Sequence, residues 1–228
     1  MKSDDAKPAA KPAARPRGRP RSFDRDAALE RAMEVFWAKG YESTSMCDLT
    51  EAMGINPPSL YAAFGDKEQL FLEALERYHD LRSETVTCAY DEEPTARGAM
   101  ERILRDFAGQ ACEGSNRGCM VVMAMTTCEG ASPELKAAIA KRRNMARARL
   151  KARIDRAVAE GELPKHTDTN ALTDFYNAIF QGMSLQARDG ASRKSLLATA
   201  EAAMRAWPVK DDSKHASSVG SRKLRSVA

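Results

Sequence analysis

The sequence predicts an all-α protein of about nine helices, with a small three-helix domain ahead of a larger helical one. Three observations predict it. Apolar residues recur at i, i+3, i+4 and i+7 through most of the chain. No segment alternates apolar and polar residues as a half-buried strand would. Capping residues and glycines stand where helices of that period begin and end.

Asp24 opens the first helix, and Leu29, Met33, Phe36 and Trp37 form one stripe along it. Gly40 ends it. Ser45-x-x-Asp48 is a capping box: the hydroxyl accepts from a free backbone N–H and the carboxylate reaches back. Met46, Leu49, Ala52 and Met53 then cover one face of a second, short helix, which Gly54 stops. Ile55 turns toward the core. Asn56 caps a third helix, with Pro57 and Pro58 in its first turn, where the missing N–H groups have no intrahelical partner anyway. Leu60 and Phe64 face inward at i, i+4. Ser59, Tyr61, Ala62 and Ala63 are left for other faces. Gly65 closes this helix and Asp66 caps the next. Helices this short are unstable alone, so they must pack on neighbours. Two short helices joined by a tight turn over residues 45–64 have the form of a helix-turn-helix, whose second helix enters a DNA major groove.

The rest of the chain reads as longer helices. Residues 66–88 carry Leu70, Leu72, Ala74, Leu75 and Tyr78 as an apolar set, and Pro94 marks a break. Residues 95–112 follow, with Met100, Ile103, Leu104 and Phe107. Gly114 through Gly118 form a loop, and the apolar run at 119–128 predicts a buried helix. Residues 133–160 are the longest candidate, closed by Gly161 and Pro164. Residues 168–188 gather Leu172, Phe175, Tyr176, Ile179, Phe180 and Met183 on one broad face, and residues 192–207 do the same with Leu196, Ala200, Ala203, Met204 and Trp207.

Residues 23–72 resemble the DNA-binding domain of the tetracycline-repressor (TetR) family of bacterial regulators. The resemblance rests on Phe36, Gly40-Tyr41, Thr44-Ser45, Asp48-Leu49, Gly54-Ile55, Leu60-Tyr61, Phe64 and Lys67-Glu68-x-Leu70. Pro58 stands where the family often has glycine, and Ala63 where it often has an aromatic residue or histidine; Ala63 has no polar group to offer a phosphate. The resemblance implies that Thr44, Ser45, Tyr61 and Lys67 contact phosphates, while Pro57, Pro58 and Ser59 face base edges, with thymine methyls within their chemistry. It further implies a homodimer on a palindromic operator, paired through residues 168–207, with Phe180, Gly182, Met183 and Leu185 near the seam. It implies repression relieved by a small-molecule effector. Candidate effector-pocket residues are Met120, Met123, Phe175, Tyr176 and Phe180, whose plainer reading is ordinary core.

The implied organisation is a basic arm at 1–22, a DNA-binding domain at 23–82, an effector-binding and dimerisation domain at 83–207, and a basic tail at 208–228. Charge follows it. Residues 1–22 carry seven lysines and arginines against two aspartates, a net +5. Residues 208–228 carry five against two, a net +3, which leaves residues 23–207 at −4 within the overall +4. Basic arms around an acidic body suit a chain whose ends meet a polyanion. The arm has no hydrophobic period and is expected to be disordered when free. Within it Pro16-Arg17-Gly18-Arg19-Pro20 resembles the core of an AT-hook, in which Arg17 and Arg19 would enter an A·T minor groove; the plainer reading is a basic tail that touches phosphates. The tail at 208–228 has the composition of a solvated segment.

No apolar run is long enough to span a membrane, and the N-terminus lacks an apolar signal core. A cytoplasmic location is expected, with the five cysteines reduced. Cys119, Met123 and Cys128 suggest a second reading, a Cu(I) or thiol-reactive sensor with Arg117 activating Cys119, although no paired-ligand spacing supports it. Catalysis has no signature. His79, His166 and His215 lack metalloprotease spacing, no phosphate-binding or nucleophile-elbow motif occurs, and no cofactor is implied. The remaining alternative is an architectural protein coating A·T-rich DNA, which would bind with little sequence preference.

Overall fold

The computed structural model describes residues 23–112 and 118–209. Among these residues every regular element is an α-helix. Helices α1 (Arg25–Lys39), α2 (Met46–Met53) and α3 (Pro57–Phe64) precede the long α4 (Lys67–Glu92). Then come α5 (Ala96–Gln110), α6 (Met120–Thr127), α7 (Pro133–Ala159), α8 (Thr169–Arg188) and α9 (Arg193–Arg205).

Local chemistry sets these boundaries. The side chains of Asp24, Ser45, Asn56, Asp66, Thr95, Ser132, Asp168 and Ser192 each accept from a free amide in the first turn of the helix they precede. Helix α6 differs: Cys119 at its start makes no such bond, and its own N–H donates to the buried Ser184 hydroxyl of α8 at 2.7 Å. Gly54, at φ 66° and ψ 32°, takes the left-handed conformation that turns α2 into α3, a place that strains any residue with a β-carbon. Gly118 is doubly constrained, since at φ 80° an added β-carbon would lie 2.7 Å from the Ser184 carbonyl oxygen.

Burial forms two clusters. The first joins the inner faces of α1 to α4 with Cys119, Met120, Val122, Met123 and Ala124 around α6, and extends to Leu135 and Ile139 at the start of α7. Phe36 meets Phe71 edge-on at 4.9 Å, and Trp37 meets Tyr78 likewise at 5.0 Å. The second cluster packs the end of α4 with α5, the latter part of α7, α8 and α9. Phe107 and Phe180, ring centroids 4.5 Å apart, touch both.

Two expectations change in detail. Helix α4 runs to Glu92, past the 88 read from the sequence, because nothing between Thr85 and Glu92 breaks a helix before Pro94. The expected domain boundary at 82/83 lies within this helix, as it does within the helix read at 66–88. The broad apolar face of α8 is also split. Leu172, Tyr176 and Met183 point into the second core, while Phe175 remains 39% exposed.

Candidate nucleic-acid interface

The two helices at 46–64 are held as a rigid pair. In α2 the capping box is complete: Asp48 N–H donates to Ser45 Oγ at 3.0 Å, and Ser45 N–H donates to Asp48 Oδ2 at 2.8 Å. Lys39 at the end of α1 donates to Asp48 Oδ1 at 2.5 Å. That ammonium, followed by the Ser45 backbone and hydroxyl donors, holds the Asp48 carboxyl well below its usual range. In α3 the Asn56 side chain accepts from Ser59 N–H at 2.9 Å. Leu49, Met53, Leu60 and Phe64 are buried, which fixes the roll of both helices.

That roll decides what α3 presents. Pro57, Pro58, Tyr61 and Ala62 are exposed on one side, with Ser59 half-buried at its margin. Tyr61 is 52% exposed and projects its ring outward. Ala62 joins this face although the sequence reading left it unassigned; its place one residue after Tyr61, opposite Leu60 and Phe64, was the available signal. Lys67 begins α4 with its ammonium 4.5 Å from the centre of the Tyr41 ring. Partial burial pulls its pKa down, and the Glu42 carboxylate pulls it back up. Burial, then the nearby Glu68 carboxylate, push the Tyr41 hydroxyl up to about 12.

Thr44 departs from expectation. It is 1% exposed, and its hydroxyl donates to the Gly40 carbonyl at 2.6 Å. Its hydroxyl closes the α1–α2 turn and does not face the surface, while Ser45 beside it is exposed. Arg17 and Arg19, and the Arg117 invoked for Cys119, lie outside the described residues.

The five pocket candidates do not converge on one space. Met120 and Met123 lie in the first core. Tyr176 is fully buried in the second, its hydroxyl donating to the Ala203 carbonyl at 3.0 Å. Phe180 packs against Phe107 at a tilt between them. Phe175 lines an open groove of about 490 Å³ with Pro164, His166, Leu172, Pro208 and Val209. Phe180 and Met183, expected near a subunit seam, face this subunit's own interior. The cysteine reading also loses its geometry. Cys119 and Cys128 flank opposite ends of α6, a rise of roughly 13 Å at 1.5 Å per residue, too far for one ion to bridge. Burial raises the Cys128 thiol to about 11, away from the reactive thiolate.

A capped helix-turn-helix with an outward second helix, ahead of a larger helical domain, defines a DNA-binding regulator. Residues 28–74 match the family model of the bacterial regulatory proteins of the tetR family, and residues 99–207 match that of the tetracyclin repressor-like C-terminal domain. The chain is 38% identical over 188 residues to the HTH-type transcriptional repressor ComR of Escherichia coli (strain K12), covering 82% of this chain and 90% of that one. It is 31% identical over 182 residues to the repressor BdcR of the same organism, covering 78% and 86%. A cysteine-substituted form of the TetR family regulator CifR, solved with 26-bp double-strand operator DNA, superposes with a TM-score of 0.78 at 44% identity, covering 84% of this chain and all of that one. The chain belongs to the TetR family of transcriptional regulators.

Proposed function

We propose that this chain is a repressor that binds a palindromic operator as a homodimer and is released from it by a small-molecule effector. The observation that carries DNA reading is the exposed face of α3, where Pro57, Pro58, Tyr61 and Ala62 stand outward on a helix whose orientation is fixed by Leu60 and Phe64. Ser45, Tyr61 and Lys67 serve as phosphate contacts, and Pro57, Pro58 and Ser59 as the groove-facing set. The repressor names of ComR and BdcR and the operator complex of CifR support the reading.

Dimerisation is supported by α8. Ala171, Phe175, Ala178, Gly182 and Leu185 follow a 4-3-4-3 spacing, the repeat of a helix–helix seam. All five lie on the side turned from the subunit core: Phe175 and Leu185 are exposed, and a methyl group on Gly182 would meet no atom within 4 Å. Ala198 and Ala202 on α9 extend the face with small residues. A second copy paired there sets two recognition helices for two half-sites about 34 Å apart. An effector that favours another separation lowers operator affinity by linkage. No helix among the described residues is long and apolar enough to cross a membrane. The working compartment we infer is that of the chromosome, the cytoplasm, and no catalytic role or cofactor is proposed.

The test is to select bound fragments from the source genome with purified protein and sequence them. One palindromic site near a few genes is the expected result. Broad recovery of A·T-rich DNA without a shared palindrome would overturn the reading in favour of an architectural protein.

A further inference from the structure

A band in which the helices are not fully covered separates the two cores. On α4 no residue from 79 to 88 is buried, and on α7 none from 140 to 149. A stretch of that length rises roughly 15 Å along a helix. Both lie between buried ends: Tyr78 and Ile139 belong to the first core, Ala89 and Leu150 to the second. Helical spacing shows that the inward stripe itself is uncovered. Ala146 stands seven residues after Ile139 and four before Leu150, and so on their face of α7, yet it is exposed. Thr85 stands seven after Tyr78 and four before Ala89 on α4. Phe107 stands four after Ile103 and four before Ala111 on α5, and Phe180 four after Tyr176 and seven before Ala187 on α8. These three inward residues are only half-buried.

Contacts between helices bring these positions to one level. The Phe107 and Phe180 ring centroids are 4.5 Å apart. Arg82 donates to Gln110, which joins α4 to α5 one turn from Thr85 and Phe107. Arg142 pairs with Glu76 of α4, and Arg147 with Asp174 of α8 at 2.6 Å, which holds α7 against both neighbours around Ala146. An inward alanine that meets solvent means that the facing helices stand off, so a chamber lies between the cores with two aromatic rings on its wall. Arg143, four residues after Ile139 and three before Ala146, is half-buried on the same side of α7. Arg142 and Arg147 have carboxylate partners, but Arg143 has none among the described residues. Asp80 and Glu84 of α4 are exposed and off the stripe, and no carboxylate occurs on α7 from 140 to 149 or on α8 from 175 to 188.

We propose that this chamber is the effector site and that its ligand is a small amphipathic carboxylate, held at the carboxylate by Arg143 and at its apolar body by Phe107 and Phe180. The inference rests on the effector-released reading above and gives the effector a chemical class. A guanidinium presents two parallel N–H donors that match a carboxylate, and partial burial strengthens the pair over one at the open surface. The rings supply apolar area and a face for a planar group. A neutral amide of the same shape keeps the apolar contact but loses the charge, and a cation meets repulsion from Arg143. The uncovered band limits the ligand to about 15 Å, the span of a ring with a short chain.

The test uses the full chain without DNA and a series of phenylalkanoates, from phenylacetate to phenylhexanoate, each beside its primary amide. Affinity is read by isothermal calorimetry. At least one acid is expected to bind at least about tenfold more tightly than its amide. Arg143→Gln should remove that preference and leave the amide's affinity in place. Ala146→Trp, which fills the chamber, should abolish binding of both, with Ala146→Leu as the smaller filling and circular dichroism as the check that each variant is folded. Equal affinity for acid and amide, an acid preference that survives Arg143→Gln, binding untouched by a folded Ala146 variant, or no binding by any member of the series would each overturn the proposal. Operator release is read separately, by fluorescence anisotropy on the selected palindrome. A bound acid that leaves operator affinity unchanged overturns the effector reading, and failure to select a palindrome overturns the operator reading; the carboxylate site is judged by calorimetry in either case.

Discussion

Arg153 carries a guanidinium into the second core at 5% exposure, and Glu162 is its ionic partner at 3.3 Å. Its Nε and Nη1 groups find no acceptor among the described residues, and Glu162 also accepts from Ala96 N–H at the start of α5. Glu162→Gln removes the counter-charge and leaves a buried cation uncompensated. A loss of about 3–5 kcal/mol is expected from urea unfolding, with Arg153→Met restoring part of it in the double variant. Asp48 supplies a pH signature. Its carboxyl is depressed in the fold, so its contribution is present above the unfolded value near 3.9 and fades as pH falls through the lower folded value. Asp48→Asn should thus be less stable than wild type at neutral pH, and unfolding midpoints should draw together in strong acid. Lys67 is tested by salt: Lys67→Gln should weaken operator binding on every sequence and reduce the slope of log K against log salt by about one.

At the scale of elements, the α6–α7 connection ties the DNA-binding helices to the larger domain. Glu42 N–H donates to the Thr127 carbonyl at 3.2 Å, and Glu68 accepts from Ser132 N–H at 2.9 Å and from its hydroxyl at 2.6 Å. Arg188, the last residue of α8, donates to the Trp37 carbonyl at 2.9 Å and to that of Ala38 near the end of α1. Glu68→Gln exchanges a charge-assisted contact for a neutral one. Faster amide hydrogen exchange at Glu42 and Ser132 is expected, with α8 amides unchanged as the internal control. Much of this was legible in advance at the residue level but not at the level of partners. Caps announced the starts of α1 to α4, and glycines the stops of α1, α2, α3 and α7, because their chemistry acts within a few residues. Thr44 was misplaced because its neighbour Ser45 offers the same hydroxyl and only packing decides which turns inward. The apolar face of α8 read as one stripe, since period alone cannot tell an inner edge such as Tyr176 from an outer one such as Phe175. Contacts such as Arg188 to α1, 151 residues apart, leave no local trace.

For the molecule as a whole, the proposed seam on the outward face of α8 would make the subunit half of a larger object. Leu185→Glu places a charge on that seam without touching the subunit core. The expected outcome is a folded monomer by sedimentation, with operator affinity reduced by at least about 100-fold as two-point attachment is lost. An intact dimer with unchanged affinity would remove α8 from the interface. The first core carries a different consequence. Met120, Met123 and Leu135 lie far along the chain from α1 to α4 yet complete their interior. A fragment cut at residue 82 would expose that apolar surface to water and lose the third wall of its own core. Exchange of DNA specificity between regulators of this build therefore calls for transplanting a discontinuous unit, residues 23–82 with 119–139, since a graft of the N-terminal segment alone would inherit a foreign floor.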